Sequence, residues 1–161
     1  MTAHVDGGAD RTSAEPTGTD PGRETDIGPA APPVVLVVDD AATVRAYHRA
    51  ILTEAGFAVR EACNGYEGLE LTLAERFELL VVDVNMPVMD GYAFVEAVRQ
   101  EALVPDVPVI VISTEQTRGD SEEAYRNGAN MYLVKPVQPH ELVLTAQVLT
   151  GRLAGTADGR R

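Results

Sequence analysis

Five side chains stand where this sequence can do chemistry. Asp39 and Asp40 follow the apolar run Val34-Val35-Leu36-Val37-Val38, and Asp83 follows Leu79-Leu80-Val81-Val82. Ser113 follows Val109-Ile110-Val111-Ile112, and Lys135 follows Met131-Tyr132-Leu133-Val134. Two carboxylates about 4 Å apart repel by roughly 4 kcal/mol at an effective dielectric near 20. Three together need a counter-charge, and a hard divalent cation supplies one. Mg²⁺ takes oxygen ligands, keeps several waters, and uses one or two carboxylates plus a phosphoryl oxygen. A lysine beside such a cluster can pair with a carboxylate and then hold a phosphoryl oxygen; a hydroxyl can share that task. The set therefore suits transfer of a phosphoryl group onto Asp83, with Lys135 and Ser113 holding its oxygens afterwards.

The plainer reading is that Asp39 and Asp40 only cap the helix that follows them, and that Lys135 is solvated surface. The third carboxylate at Asp83, and the position of Lys135 directly after a buried run and before Pro136, favour the metal site. A cis Lys135–Pro136 bond fits that context, because cis bonds are mostly found before proline; the sequence leaves the isomer open.

These residues must be positioned by strands and helices in alternation. Val34–Val38 reads as a strand buried on both faces. Val44, Tyr47, His48, Ile51, Leu52 and Ala55 follow helical spacing, and Gly56 stops that helix. Phe57 to Ala62 is a shorter, more polar strand nearer an edge. Asn64-Gly65 is a turn, and Tyr66, Leu69 and Leu73 mark a second helix. A buried strand ends at Asp83. A helix over 91–102 turns Phe94, Val95 and Val98 inward. A central strand ends at Ser113, a polar helix spans about 119–128, and Met131 to Val134 is the last strand. The final helix runs from about Pro139 to Leu153, with Leu142, Leu149 and Leu153 on one stripe. Five such βα units predict a doubly wound α/β fold, a parallel sheet with helices on both faces. Ligands of such sheets sit beyond the carboxyl ends of the strands.

Composition bounds the rest. The chain has 161 residues and a formal net charge of -12, which disfavours direct contact with nucleic acid or an anionic membrane surface. One cysteine, Cys63, excludes an internal disulfide and fits a reducing, cytoplasmic setting. It and His48 read as packing residues, Cys63 as a small buried or half-buried filler. No apolar run reaches the roughly 20 residues that span a bilayer, and no signal peptide is expected. Residues 1–33 hold 5 of the 10 prolines and 5 of the 14 glycines, with too little apolar content to order a backbone. The expected layout is a disordered acidic tail over 1–33, one domain over 34–153 and a frayed end over 154–161.

Four segments occur in order: Val37-Val38-Asp39-Asp40, Asp83-Val84-Asn85-Met86-Pro87-Val88-Met89-Asp90-Gly91, Ser113-Thr114-Glu115 and Tyr132-Leu133-Val134-Lys135-Pro136. With them the sequence resembles the CheY-like receiver domains of response regulators over about residues 34–153. The resemblance implies a flavodoxin-like (βα)5 fold with five strands in the order 2-1-3-4-5. It implies that Asp83 is phosphorylated by a histidine kinase and that Mg²⁺ is held by Asp40 directly, by Asp39 largely through water, by Asp83 and by the Asn85 backbone carbonyl. Ser113 and Lys135 would sense the phosphoryl group, Tyr132 would be an aromatic switch that turns inward in the active state, and Pro87 and Gly91 would shape the loop after Asp83. The pattern is closest to the chemotaxis branch: Asn85 and Glu115 would flank the water that hydrolyses the acyl phosphate, and Thr114, larger than the usual Ala or Gly, is expected to crowd it.

The implied role is a single-domain response regulator, not an enzyme beyond its own phosphorylation and dephosphorylation. Its output would pass through the surface of the fourth helix, fifth strand and fifth helix to a flagellar motor switch. A relay or phosphate-sink receiver serving a histidine phosphotransfer protein is the alternative. A Mg²⁺-dependent aspartyl-phosphate hydrolase fits less well, because such enzymes place an Asp-x-Asp pair on their first strand and need a cap. Phosphate-loop and dinucleotide glycine motifs are absent.

Overall fold

A computed structural model describes residues 30–104 and 106–153. Residues 1–29 of the expected tail over 1–33, and the expected frayed end over 154–161, lie outside the described residues. Pro33 is already buried, and its carbonyl accepts from Ala58 at 2.9 Å, so ordered packing starts there.

Ten elements alternate: β1 Val34–Val38, α1 Ala42–Glu54, β2 Ala58–Ala62, α2 Gly65–Ala74, β3 Leu79–Asp83, α3 Gly91–Gln100, β4 Val109–Ser113, α4 Arg118–Arg126, β5 Met131–Val134 and α5 Pro139–Leu149. The strands form one parallel sheet in the order β2-β1-β3-β4-β5, as the resemblance implies. β3 and β4 are buried at every residue, which explains their unbroken apolar runs. Successive strand residues point to opposite faces. Leu36, Val38, Leu80 and Val82 meet Phe94, Val95 and Val98 of α3 and Ala124 of α4 on one face. Val35, Val37, Leu79 and Val81 meet Leu52 of α1 and Leu142 and Ala146 of α5 on the other.

The order has one consequence for function. The chain leaves β1 for β2 on one side, then returns to β3 on the other side of β1. The loops after β1 and β3 therefore diverge and leave a crevice at the carboxyl edge. Register sharpens this: Val38 pairs with Val82, so Asp39 and Asp83 are the next residues along adjacent strands.

Three expectations need correction. In α2 the buried residues are Gly65, Gly68 and Thr72, while Tyr66 and Leu73 are half exposed and the partly buried Leu69 and Leu71 pack on the core. The cause is close helix contact: a Cβ on Gly68 would lie 3.0 Å from the Phe94 ring and 3.1 Å from Val38. Small residues, not large ones, line that contact. In α5 the helix stops at Leu149; Gly151 takes φ 68°, and Leu153 is exposed, off the stripe. Cys63 is exposed rather than packed, because it follows the edge strand β2 at the turn into α2.

The loop after β3 is tightly specified. Asp90 caps α3 by accepting from Ala93 N at 2.8 Å. Gly91 N donates to Val84 O at 3.0 Å, which folds the loop back on the strand end. A Cβ at Gly91 would collide with the Asp83 carbonyl oxygen and reach within 2.9 Å of the Val84 Cα. Neither is a flexible side-chain tip that could give way. Gly91→Ala is expected to cost roughly 2–3 kcal/mol of stability, read as a lower denaturant midpoint with an unchanged slope; an unchanged midpoint would show that the loop yields freely.

Candidate functional site

Asp39 is one residue past β1, Asp83 ends β3, and both are almost fully buried, at 2% and 3% exposure. Asp40 beside them is exposed. One oxygen from each of the three carboxylates lies within 4.8 Å of the others. Among the described residues this is the only cluster of its kind. Neither aspartate is the helix cap: Ala41 holds that position, and Asp39 Oδ1 instead accepts from Ala41 N at 2.8 Å.

Lys135 reaches into this cluster from one residue beyond β5. β4 lies between β5 and β3, so the side chain must cross the end of β4, where Lys135 N donates to Ser113 O at 2.8 Å. Two strand spacings are about 9–10 Å, within reach of a long flexible stem and beyond most others. Nζ lies 2.7 Å from Asp83 Oδ1 and 3.5 Å from Asp39 Oδ2. The Lys135–Pro136 peptide is cis.

Charge and burial oppose each other here. Burial pushes the Asp83 carboxyl above its ordinary value; Lys135 pulls it back, and the Asp39 and Asp40 charges push it up again. Burial alone would lower the Lys135 ammonium, but close contact with the Asp83 carboxylate, with Asp39 behind, holds it above its ordinary value. Asp83 Oδ1 is buried without a well-aligned hydrogen bond, so charge contact with Lys135 alone satisfies it. The Asn85 backbone carbonyl likewise accepts no hydrogen bond among the described residues. Three carboxylates, an unaligned buried oxygen and a spare carbonyl suit a hard cation that seeks oxygen ligands.

The remaining expected residues surround this centre. Ser113, fully buried at the end of β4, accepts from Glu115 N at 3.1 Å. Tyr132 on β5 is half-buried, and its hydroxyl donates to the Glu115 carbonyl at 2.9 Å. Asn85 and Thr114 are both exposed, and Asn85 Nδ2 donates to Thr114 Oγ1 at 3.2 Å. That bond bridges the loops after β3 and β4 at the rim of the cluster.

Two residues escaped the sequence reading. Arg45, in the first turns of α1, donates to the Asp39 carbonyl at 2.7 Å. Its only signal was a place one helical turn past the helix cap Ala41. His48 is buried, as a packing residue should be, but it lies in the wall of a recess of about 400 Å³ that also touches Lys135, Thr114 and Tyr47. Burial first, then the Lys135 charge, push its imidazole down to about 4 against a smaller pull from Asp83.

Comparison with known proteins agrees with this geometry. A family model described as the response regulator receiver domain matches residues 35–147. The transcriptional regulatory protein PrrA of Mycobacterium tuberculosis is 41% identical over 125 residues, 78% of this chain and 53% of that protein. The chain spans about half the length of the curated relatives it matches. Among solved structures, the chemotaxis protein CheY4 of Vibrio cholerae is 37% identical with a TM-score of 0.70, covering 74% of this chain and 99% of that one. The receiver domain of the sensor histidine kinase PA1611 of Pseudomonas aeruginosa, described with a magnesium ion coordinated in its active-site cleft, is 27% identical with a TM-score of 0.70, covering 75% and 99%.

The buried His48 makes the fold sensitive to acid. A group whose pKa falls on folding favours the fold above its ordinary value of 6.5 and loses that contribution as the pH drops toward about 4. The loss is expected to reach about 2–3 kcal/mol. His48→Leu should remove this component, so the difference between the two unfolding curves should change across pH 6.5 to 4 and be flat above. A constant difference throughout would show that His48 titrates normally.

Proposed function

The chain belongs to the response regulator receiver domain family, and we propose on that footing that it accepts a phosphoryl group on Asp83 and passes the signal on through its surface. The single observation that carries this reading is the convergence of Asp39, Asp40 and Lys135 on the buried Asp83 carboxylate. The donor is a phosphohistidine of a histidine kinase. An Asp83 oxygen attacks phosphorus, the P–N bond breaks, and the departing imidazole nitrogen takes a proton.

Mg²⁺, held by Asp39, Asp40, Asp83 and the Asn85 carbonyl, would supply positive charge beside the transferred oxygens. Lys135, already on Asp83, shifts its contact from a carboxylate oxygen to a phosphoryl oxygen. Ser113 turns its hydroxyl to a second oxygen, which costs the bond from Glu115 N. Tyr132, tied to the same residue through the Glu115 carbonyl, responds to that movement. Asn85, Thr114 and Glu115 set how water reaches the acyl phosphate. The hydrogen bond between Asn85 and Thr114 joins two of these residues at the rim of the site.

The receiver spans residues 34–153, with 1–33 and 154–161 as extensions. Output runs through α4, β5 and α5, where Tyr125, Leu144 and Val148 expose apolar surface. A chemotaxis-type messenger acting on a flagellar motor switch is favoured by Asn85 and Glu115 and by the likeness to CheY4. The 41% identity to the transcriptional regulatory protein PrrA supports a second output, control of transcription. A relay to a histidine phosphotransfer protein would use the same site. The single cysteine fits the cytoplasm as the working compartment. No helix among the described residues is long and apolar enough to cross a membrane.

Incubation with Mg²⁺ and acetyl phosphate is expected to add one phosphoryl group to the wild-type chain, stable in acid and labile in alkali. Asp83→Asn should add none, and mass spectrometry of the intact protein reads both. Equal labelling of the two would sink the assignment. Beryllofluoride-loaded protein should then capture a motor-switch protein if the output is chemotactic, and a phosphotransfer protein if the chain is a relay.

A further inference from the structure

Asp39 has four polar groups, and each has a protein contact. Its N–H donates to Ala62 O at 3.2 Å, Oδ1 accepts from Ala41 N at 2.8 Å, and Oδ2 faces Lys135 at 3.5 Å. Its carbonyl accepts from the Arg45 guanidinium at 2.7 Å. Asp40 is different. It is exposed, and its carboxylate makes no hydrogen bond or ion pair among the described residues.

The peptide plane links the two residues. The Asp39 carbonyl, the Asp40 nitrogen and the Asp40 Cα lie in one rigid unit. A donor that fixes the carbonyl therefore fixes the N–Cα axis from which the Asp40 side chain departs and leaves only rotation about it. Arg45 is well placed to do this. Its own N–H makes the first-turn bond to Ala41 O at 3.0 Å, while its side chain reaches back to the strand that α1 has just left. Glu61 of β2 steadies it at 3.7 Å from Nε, and Glu61 also accepts from Arg49 at 2.8 Å. The Arg45 side chain is only 18% exposed. Without it, a carbonyl of a nearly buried residue would lack a partner and would turn to find one.

We propose that Arg45 is a positioning residue for divalent-cation binding: its guanidinium holds the Asp39–Asp40 peptide so that the exposed Asp40 carboxylate faces the site. This rests on the proposed cation site and extends it to a residue that never touches the ion. Partners behind ligating carboxylates commonly matter in this way. The charge of Arg45 works in the opposite direction, because a fixed cation near the site repels a second cation. The two effects therefore predict opposite signs for its removal.

The test is binding of Mn²⁺, read by the electron paramagnetic resonance of the free ion and competed with Mg²⁺, in the full chain. Arg45→Met is expected to weaken binding about tenfold, while Arg45→Lys, which keeps a charged donor, recovers most of the affinity. In acetyl phosphate labelling, the Mg²⁺ concentration for half-maximal rate should rise by the same factor. The rate at saturating Mg²⁺ should stay within about twofold of wild type, a split that general loosening of the fold would not give. Arg45→Gln serves where Arg45→Met melts too early, with the same direction expected. Unchanged or tighter binding in the uncharged variants, with wild type binding normally, overturns the role of Arg45. Absence of cation uptake by wild type overturns the proposed site itself.

Discussion

Crowded negative charge at the end of a parallel sheet is the constraint on which the rest of this molecule turns. Three carboxylates share a volume in which any pair at the observed separation repels by about 3–4 kcal/mol at an effective dielectric near 20. Two of them are also cut off from water. One lysine, brought across a whole strand, is the internal answer, and it cannot satisfy all three. The site is built with an unbalanced charge and a buried oxygen lacking an aligned donor. Such an arrangement costs stability locally and creates affinity for whatever brings positive charge or accepts the lysine.

The pKa shifts express the same tension as linkage. Asp83 has a raised folded pKa, so its contribution to stability is present below its ordinary value of 3.8 and is lost as the pH rises through the folded value. Its ionised form is a cost that the surrounding fold must carry. Lys135 is also raised, and its contribution holds until the pH climbs through its folded value, above 10.5. The lysine half of the pair thus stays charged across the physiological range, while the carboxylate half resists burial. The hydrophobic layers on both faces of the sheet hold the strand ends together against that resistance. They explain why the acids sit at the carboxyl ends of β1 and β3, which are among the most deeply buried strands, rather than at the end of the edge strand β2.

This division explains what the sequence made legible. A strand buried on both faces is an unbroken apolar run, so β1, β3 and β4 announce themselves, and a charged residue directly after such a run must stand at the sheet edge. Asp39, Asp83, Ser113 and Lys135 could be placed for that reason. The strand order came from the family resemblance, since the βα rhythm alone does not order the strands. Helix faces were harder to read. Gly65 and Gly68 carry no hydrophobic signal, yet they form the contact face of α2, because close approach to Phe94 and Met89 demands the absence of a side chain. Tyr66 and Leu73 carry the signal and face outward. Cys63 was misjudged because its residue type suggests burial while its position at the end of the edge strand decides against it. Arg45 was invisible because a guanidinium bonded to a backbone carbonyl depends on where the helix axis points, which no local pattern encodes.

The same geometry ties the site to the surface through very few atoms. Ser113 Oγ and the Tyr132 hydroxyl do not bond each other; both bond the backbone of Glu115, one at its N–H and one at its carbonyl. Those two groups belong to successive peptide planes that pivot at the Glu115 Cα. Drawing Ser113 Oγ toward a new acceptor at Asp83 releases the first plane, and any rotation there reorients the second, on which Tyr132 depends. Tyr132 lies on β5, and the Glu115 loop leads through Thr117 into α4, whose first turn is closed by the reciprocal bonds between Thr117 and Asp120. On the proposed reading, a single added group at Asp83 therefore acts on one residue that both α4 and β5 share. A change of a few kcal/mol in such a shared contact is enough to shift a two-state balance by orders of magnitude, so the output surface needs no longer pathway than Ser113, Glu115 and Tyr132.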